Sequence, residues 1–218
     1  MKKIVLLFIL INVIKKLRQN FAVRLRRQFM EIAYTGQTHY EIDLAGRKES
    51  LIIAPVTPTL HIASFVLLGN TNLTNYCAKI LAEKIKKYDY DYIVCPEAKV
   101  LPLAQSICTL LGEKDFVVFR KGRKAYMLDA LETEVKSITT DAVQKMVVDI
   151  VDADKIRGKK VLLLDDVVST GGTFKAMKSL LDIIGDVEIV GYAAALREGT
   201  DFDDPNLEYI QDLPIFVG

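Results

Sequence analysis

The chain has 218 residues, half of them hydrophobic, which suits one domain with an appendage and allows a sizeable core. Twenty-nine Lys and Arg against 28 Asp and Glu leave a net charge of +1, so the average composition gives no argument for a nucleic-acid partner. Cys77, Cys95 and Cys108 are scattered through apolar settings, and neither they nor His39 and His61 show metal-ligand spacing; they read as buried free thiols in a reducing cytoplasm.

The average hides an asymmetry. No acidic residue precedes Glu31, whereas Lys2, Lys3, Lys15, Lys16, Arg18, Arg24, Arg26 and Arg27 are all basic. Between the lysine pairs, residues 4–14 are almost wholly apolar. That run is short for a bilayer span and no small-residue cleavage site follows it. Three readings stay open: a basic helix packed on the domain or a partner, a membrane-surface anchor within residues 1–30, or an extension without functional role. The packed accessory helix is favoured, giving an extension over residues 1–39 and a domain over residues 40–218.

From Tyr40 onward the pattern alternates between strands and helices. Residues 51–56 and 64–68 read as short strands and 74–87 as an amphipathic helix. Residues 90–95 form a strand, 101–111 a helix and 116–119 a strand. Residues 121–140 carry many charges without clean periodicity. Residues 145–149 form a strand, and 161–164, 174–184 and 188–195 repeat strand, helix, strand. Such alternation implies a parallel sheet with helices on both faces, whose ligands bind beyond the strand carboxyl ends.

The segment VLLLDDVVSTGGT, residues 161–173, is the most informative in the chain. A buried apolar strand runs into Asp165 and Asp166. A turn of Ser169, Thr170, Gly171, Gly172 and Thr173 then opens a helix. Backbone N–H groups at a helix start form an anion cradle. Glycine lets that backbone approach an anion and tolerates positive φ. Two carboxylates beside such a cradle suit a ligand with both a phosphate and a vicinal diol, such as ribose 5-phosphate.

This segment resembles the signature of type I phosphoribosyltransferases, most closely the adenine phosphoribosyltransferase-like branch. The resemblance implies an α/β fold with a twisted, mostly parallel sheet flanked by helices and a small hood over the nucleobase. Asp165 and Asp166 would face the ribose hydroxyls, and residues 169–173 would wrap the 5'-phosphate. A second loop, PEAKVLPLA from Pro96 to Ala104, is similar to the family's pyrophosphate loop, with Glu97, Ala98 and Lys99 toward the substrate. It departs from the family at Val100, where glycine is usual, and a side chain there is expected to weaken pyrophosphate binding or force a different turn. A third stretch, Arg120, Lys121, Gly122, Arg123 and Lys124, is similar to the family's basic lid, which shields an activated intermediate from water. Residues 207–216 end in an apolar, aromatic run that returns to the hood or packs in the core.

The resemblance further implies transfer of a phosphoribosyl group from phosphoribosyl pyrophosphate to a purine base, adenine favoured, with release of pyrophosphate in nucleotide salvage. Asp165, Asp166, Lys99 and Lys124 would be catalytic. Mg²⁺ would be held mainly by substrate oxygens, with Asp165 or Asp166 reaching it through water. A homodimer in the cytoplasm is expected. The alternatives are transfer to orotate or another base, or a non-catalytic regulator that binds phosphoribosyl pyrophosphate.

Overall fold

The structure is a computed structural model that describes residues 30–112, 115–136 and 143–218. Of the helical extension expected over residues 1–39, residues 1–29 lie outside the described residues, and the rest contributes strand instead of helix at Glu31–Ala33 and His39. Five strands form the main sheet: β5 (Tyr92–Pro96), β6 (Val117–Phe119), β9 (Lys160–Val168), β10 (Glu188–Glu198) and β11 (Leu207–Leu213). Their order is β11-β10-β9-β5-β6, and every pairing is parallel. The chain runs from β5 outward to β6, then returns to the other side of β5 and builds outward through β9, β10 and β11. The order therefore reverses between β5 and β9, which puts the topological switch point at their carboxyl ends.

Both faces of this sheet are covered, so its central strands carry continuous apolar runs, such as residues 93–95 and 161–164, rather than alternating ones. Ile93, Cys95, Leu162 and Leu164 point into one cluster with α1 (Thr71–Ile85) and α2 (Leu101–Leu111). Val94, Val161 and Leu163 point into the other, with α3 (Ile150–Ile156) and α4 (Gly172–Ile184). The helix α1 buries Leu73, Cys77, Ala78, Leu81, Ala82 and Ile85, a stripe at three- and four-residue spacing, and the side chain of Asn70 caps it by accepting from the Leu73 N–H at 3.1 Å. All three cysteines are buried thiols outside any disulfide.

A second sheet, the hood, contains β1 (Glu31–Ala33), β2 (His39–Leu44), β3 (Arg47–Thr57), β4 (Leu60–Ala63) and β12 (Ile215–Val217) in the order β1-β12-β4-β3-β2. Ile42, Leu44, Leu51 and Ile53 face inward at two-residue spacing and join the α1–α2 cluster. β1 belongs to the residues read as extension, and it pairs in parallel with β12.

The strands β1, β2 and β4 and the helix α3 have no counterpart in the sequence reading, and three of the segments it did read differ. Residues 64–68 are not a strand. Phe65 and Leu67 are buried while Val66 and Leu68 are exposed, so the alternation is real. The segment crosses from the hood to α1, however, and its backbone bonds go one at a time, as from the Ser64 N–H to the Ile52 carbonyl. Of residues 121–140, those from 121 to 129 are irregular and 137–140 lie outside the described residues. A strand, β7 (Ala130–Lys136), then pairs antiparallel with β8 (Val143–Asp149) as a separate arm. The strand ending in carboxylates also continues past them, because β9 runs to Val168.

Candidate active site

A cleft of about 530 Å³ opens at the switch point. One wall is the loop after β5, residues 96–100. The second is the end of β9 with Asp165, Asp166, Val167, Ser169 and Thr173. Hood residues Ile62, Ala63, Ser64 and Phe65, together with Leu213, close the third side. Lys121, Lys145, Met146 and Glu198 complete the lining. A smaller cavity of about 120 Å³ shares Asp165, Ser169 and Thr173 with it and adds Thr170, Gly171, Gly172 and Phe174.

The sequence-predicted residues therefore divide. Glu97, Ala98, Lys99, Lys121, Asp165, Asp166, Ser169 and Thr173 meet in the cleft, and Thr170, Gly171 and Gly172 in the adjoining cavity. Arg120, Arg123 and Lys124 line neither. The Arg123 guanidinium donates to the carbonyls of Met127 and Leu128 at 3.2 and 2.7 Å, which ties the loop to itself. Arg120 and Lys124 are engaged by Glu97, at 3.1 and 3.5 Å. Glu97 also accepts from the Lys121 N–H at 3.2 Å. Burial pushes the Glu97 carboxyl up, but the Lys121 N–H, Lys124 and Arg120 outweigh it and hold the group below its ordinary value. Glu97 is thus the tie between the loop after β5 and the basic loop.

Asp165 is 7% exposed. Burial first, and the charge of Asp166 second, raise its pKa well above the ordinary carboxylate value. One Asp165 oxygen accepts from the Asp166 N–H at 2.9 Å. Two adjacent carboxyls of which one resists ionisation make a site that gains from hydroxyl donors or a nearby cation. Glu198, at the end of β10, is raised by burial, against a hydrogen bond from the Ser169 hydroxyl.

Gly171 has φ +71°, the left-handed region that side chains disfavour. A Cβ there would lie 2.2 Å from Cδ2 of Phe202. The position thus excludes a side chain on the Phe202 face, whereas the sequence reading placed the restriction on the anion side. Val100 adopts φ −82° and ψ −14° at the start of α2, and its side chain is buried in the α1–α2 cluster. The backbone there is ordinary right-handed helix, so the turn accommodates valine. The Glu97–Ala98 peptide is cis.

Sequence reasoning missed Lys145, Met146, Glu198 and the hood lining. Lys145 comes in on β8, where it pairs with Glu132 at 3.0 Å. Its signal was its place as the cation just ahead of the apolar run Met146–Val148. Glu198 carried a weaker one, as an acidic residue at a strand end.

The phosphoribosyl transferase domain family matches residues 67–209. The adenine phosphoribosyltransferase of Petrotoga mobilis is 34% identical over 139 residues, 63% of this chain and 72% of that protein. That of Fervidobacterium nodosum is 34% identical over 157 residues, covering 69% and 83% respectively. Among solved structures, the adenine phosphoribosyltransferase of Thermoanaerobacter pseudethanolicus shares the fold at a TM-score of 0.56 and 21% identity, over 80% of this chain and 95% of that one.

Proposed function

The chain belongs to the phosphoribosyl transferase domain family, and from that premise we propose that it transfers the phosphoribosyl group of phosphoribosyl pyrophosphate to adenine in purine salvage. The bond from ribose C1 to pyrophosphate breaks, and its electron pair leaves with pyrophosphate. A bond from C1 to a ring nitrogen of adenine forms, and the base gives up a proton. The observation that carries the reading is the cleft with its adjoining cavity, which together bring the β5 loop, the Asp165–Asp166 pair and the glycine turn to the switch point.

In this reading the turn of residues 169–173 anchors the 5'-phosphate through N–H groups and hydroxyls. Remote anchoring positions C1 for attack. Asp165 and Asp166 hold the ribose diol and favour positive charge developing on the ring. Lys99, Lys121 and Lys145 face the pyrophosphate. Lys124 and Arg120 join only on release from Glu97. Mg²⁺ suits the oxygen chemistry of this site. Among the described residues no group of three or more candidate ligands gathers to cage a metal, so substrate oxygens would hold it, with Asp165 or Asp166 acting through water. When bound it neutralises charge on the departing pyrophosphate.

The names of the relatives favour adenine, and the hood wall supports a neutral base. Ile62, Ala63, Ser64, Phe65 and Leu213 supply no cation for a carboxylated base such as orotate. A homodimer in the cytoplasm belongs to the same proposal; among the described residues no helix is long and apolar enough to cross a membrane. The test is incubation with phosphoribosyl pyrophosphate, Mg²⁺ and adenine, hypoxanthine, guanine or orotate, reading pyrophosphate release. Adenine should give the highest rate. Preference for another base overturns the substrate, and no release with any base leaves a ligand-binding regulator as the reading.

A further inference from the structure

The segment that follows β10 reaches the phosphate turn without entering the cleft. Arg197 is 2% exposed, and its guanidinium contacts Asp212 on β11 through Nε at 2.8 Å and Nη2 at 2.6 Å. It also holds Asp203 at 3.1 Å and lies 4.5 Å from the Tyr209 ring. This buried cation therefore fixes the residue next to Phe202. The Phe202 ring packs with Phe174 of α4 at 5.4 Å and Tyr192 of β10 at 5.5 Å, while Phe174 and Tyr192 are 5.1 Å apart. It covers the backbone of Gly171 so closely that a Cβ would overlap the ring. Phe202 lines neither the cleft nor the adjoining cavity.

We propose that Phe202, held by the Arg197–Asp203 tie, is a positioning residue that sets the backbone of the 169–173 turn in its anion-accepting shape before the ligand arrives. The inference rests on the reading of that turn as the 5'-phosphate site. A glycine turn is costly to order, because its unbound ensemble is wide. A rigid ring against Gly171 narrows that ensemble in the free protein, so less ordering remains to be done on binding. The ring acts through Gly171 and not on the reacting atoms. Its loss should therefore weaken phosphate anchoring more than it slows the chemical step.

The test uses Phe202→Ala, Phe202→Leu and Gly171→Ala, singly and with Gly171→Ala combined with Phe202→Ala. Amide exchange at residues 170–173 should speed up in ligand-free Phe202→Ala, while exchange in α2 stays at the wild-type rate as the control for folding. KM for phosphoribosyl pyrophosphate should rise about tenfold with kcat near wild type. Phe202→Leu, which keeps an apolar side chain over the turn, should recover most of the loss. Gly171→Ala should cost several-fold less in the Phe202→Ala background than alone, because the ring that opposes the new methyl is gone. Unchanged exchange at residues 170–173, a loss confined to kcat, or additive effects in the double variant overturns the proposal. Absence of pyrophosphate release from the wild-type protein overturns the reading of the site instead, and the exchange measurement still decides the role of Phe202.

Discussion

Glu97→Gln separates the charge of Glu97 from its shape. The amide keeps an acceptor for the Lys121 N–H, now at 3.2 Å, and loses the attraction for Arg120 and Lys124. Hydrogen bonds to charged groups contribute about 1.5–3 kcal/mol each when well enclosed. Here the Arg120 and Lys124 side chains are 32% and 41% exposed, and the Lys124 contact is long at 3.5 Å. Solvent screening brings the sum down to about 1–2 kcal/mol. For a domain of this size that is a drop of about 2–8 °C in Tm. The pH dependence has a definite sign. The carboxyl of folded Glu97 titrates below its ordinary value of 4.5. Its stabilisation is thus fully present above that value and is lost as pH falls through the folded pKa. Thermal melts of wild type and Glu97→Gln should differ at pH 7 and converge below the ordinary glutamate range. Glu83→Gln, at an exposed pair with Lys86, serves as the control and should change Tm little. A gap that persists undiminished at acid pH, or that is absent at pH 7, refutes the tie between the two loops.

Asp165→Asn and Asp166→Asn should each lower pyrophosphate release by about 10²–10³. Because burial and Asp166 raise the Asp165 pKa, ionising that group costs stability above the ordinary carboxylate range, so Asp165→Asn should melt no lower than wild type at pH 8; an unchanged rate in a folded variant removes the ribose assignment. Lys145→Ala should raise KM for phosphoribosyl pyrophosphate about tenfold, and Lys124→Ala distinctly less, as measured by steady-state kinetics. The reverse order would mean that the loop leaves Glu97 and that Lys124, not Lys145, meets the leaving group.

The main sheet was legible because both of its faces are covered. Runs such as Ile93–Cys95 and residues 161–164 are apolar throughout, and the helices between them carry periodic stripes. The turn at residues 169–173 was legible for a local reason: its chemistry sits in consecutive residues. What escaped was assembled at a distance. Lys145 reaches the cleft because β8 pairs with β7 and because Val147 exchanges backbone hydrogen bonds with Arg120, just beyond β6. The alternation in β7 itself, Leu131, Thr133 and Val135 between charged residues, was visible in the sequence but obscured by the charge of the whole stretch. The cations of the basic loop looked equivalent as a sequence. Glu97, more than twenty residues upstream, engages Arg120 and Lys124, the carbonyls of Met127 and Leu128 hold Arg123, and Lys121 is left to line the cleft.

The strand β12 joins parts of the chain that are far apart, pairing Glu31 with Ile215 on one side and Ile62 with Ile215 on the other. Closing the first pairing brings together residues about 180 positions apart, and contacts of that separation form slowly because the loop-closure entropy is met before any contact rewards it. The β9–turn–α4 unit relies on nearer parts of the chain: β5, β10 and Phe202 meet it at separations of at most about 70 positions. The two ends of the cleft therefore mature at different times during folding. The turn end arises from the shorter-range contacts, and the hood wall is completed last, when β12 locks between β1 and β4. Under the proposed function, a chain caught before that step would carry its sugar-phosphate turn without the wall proposed to discriminate between bases.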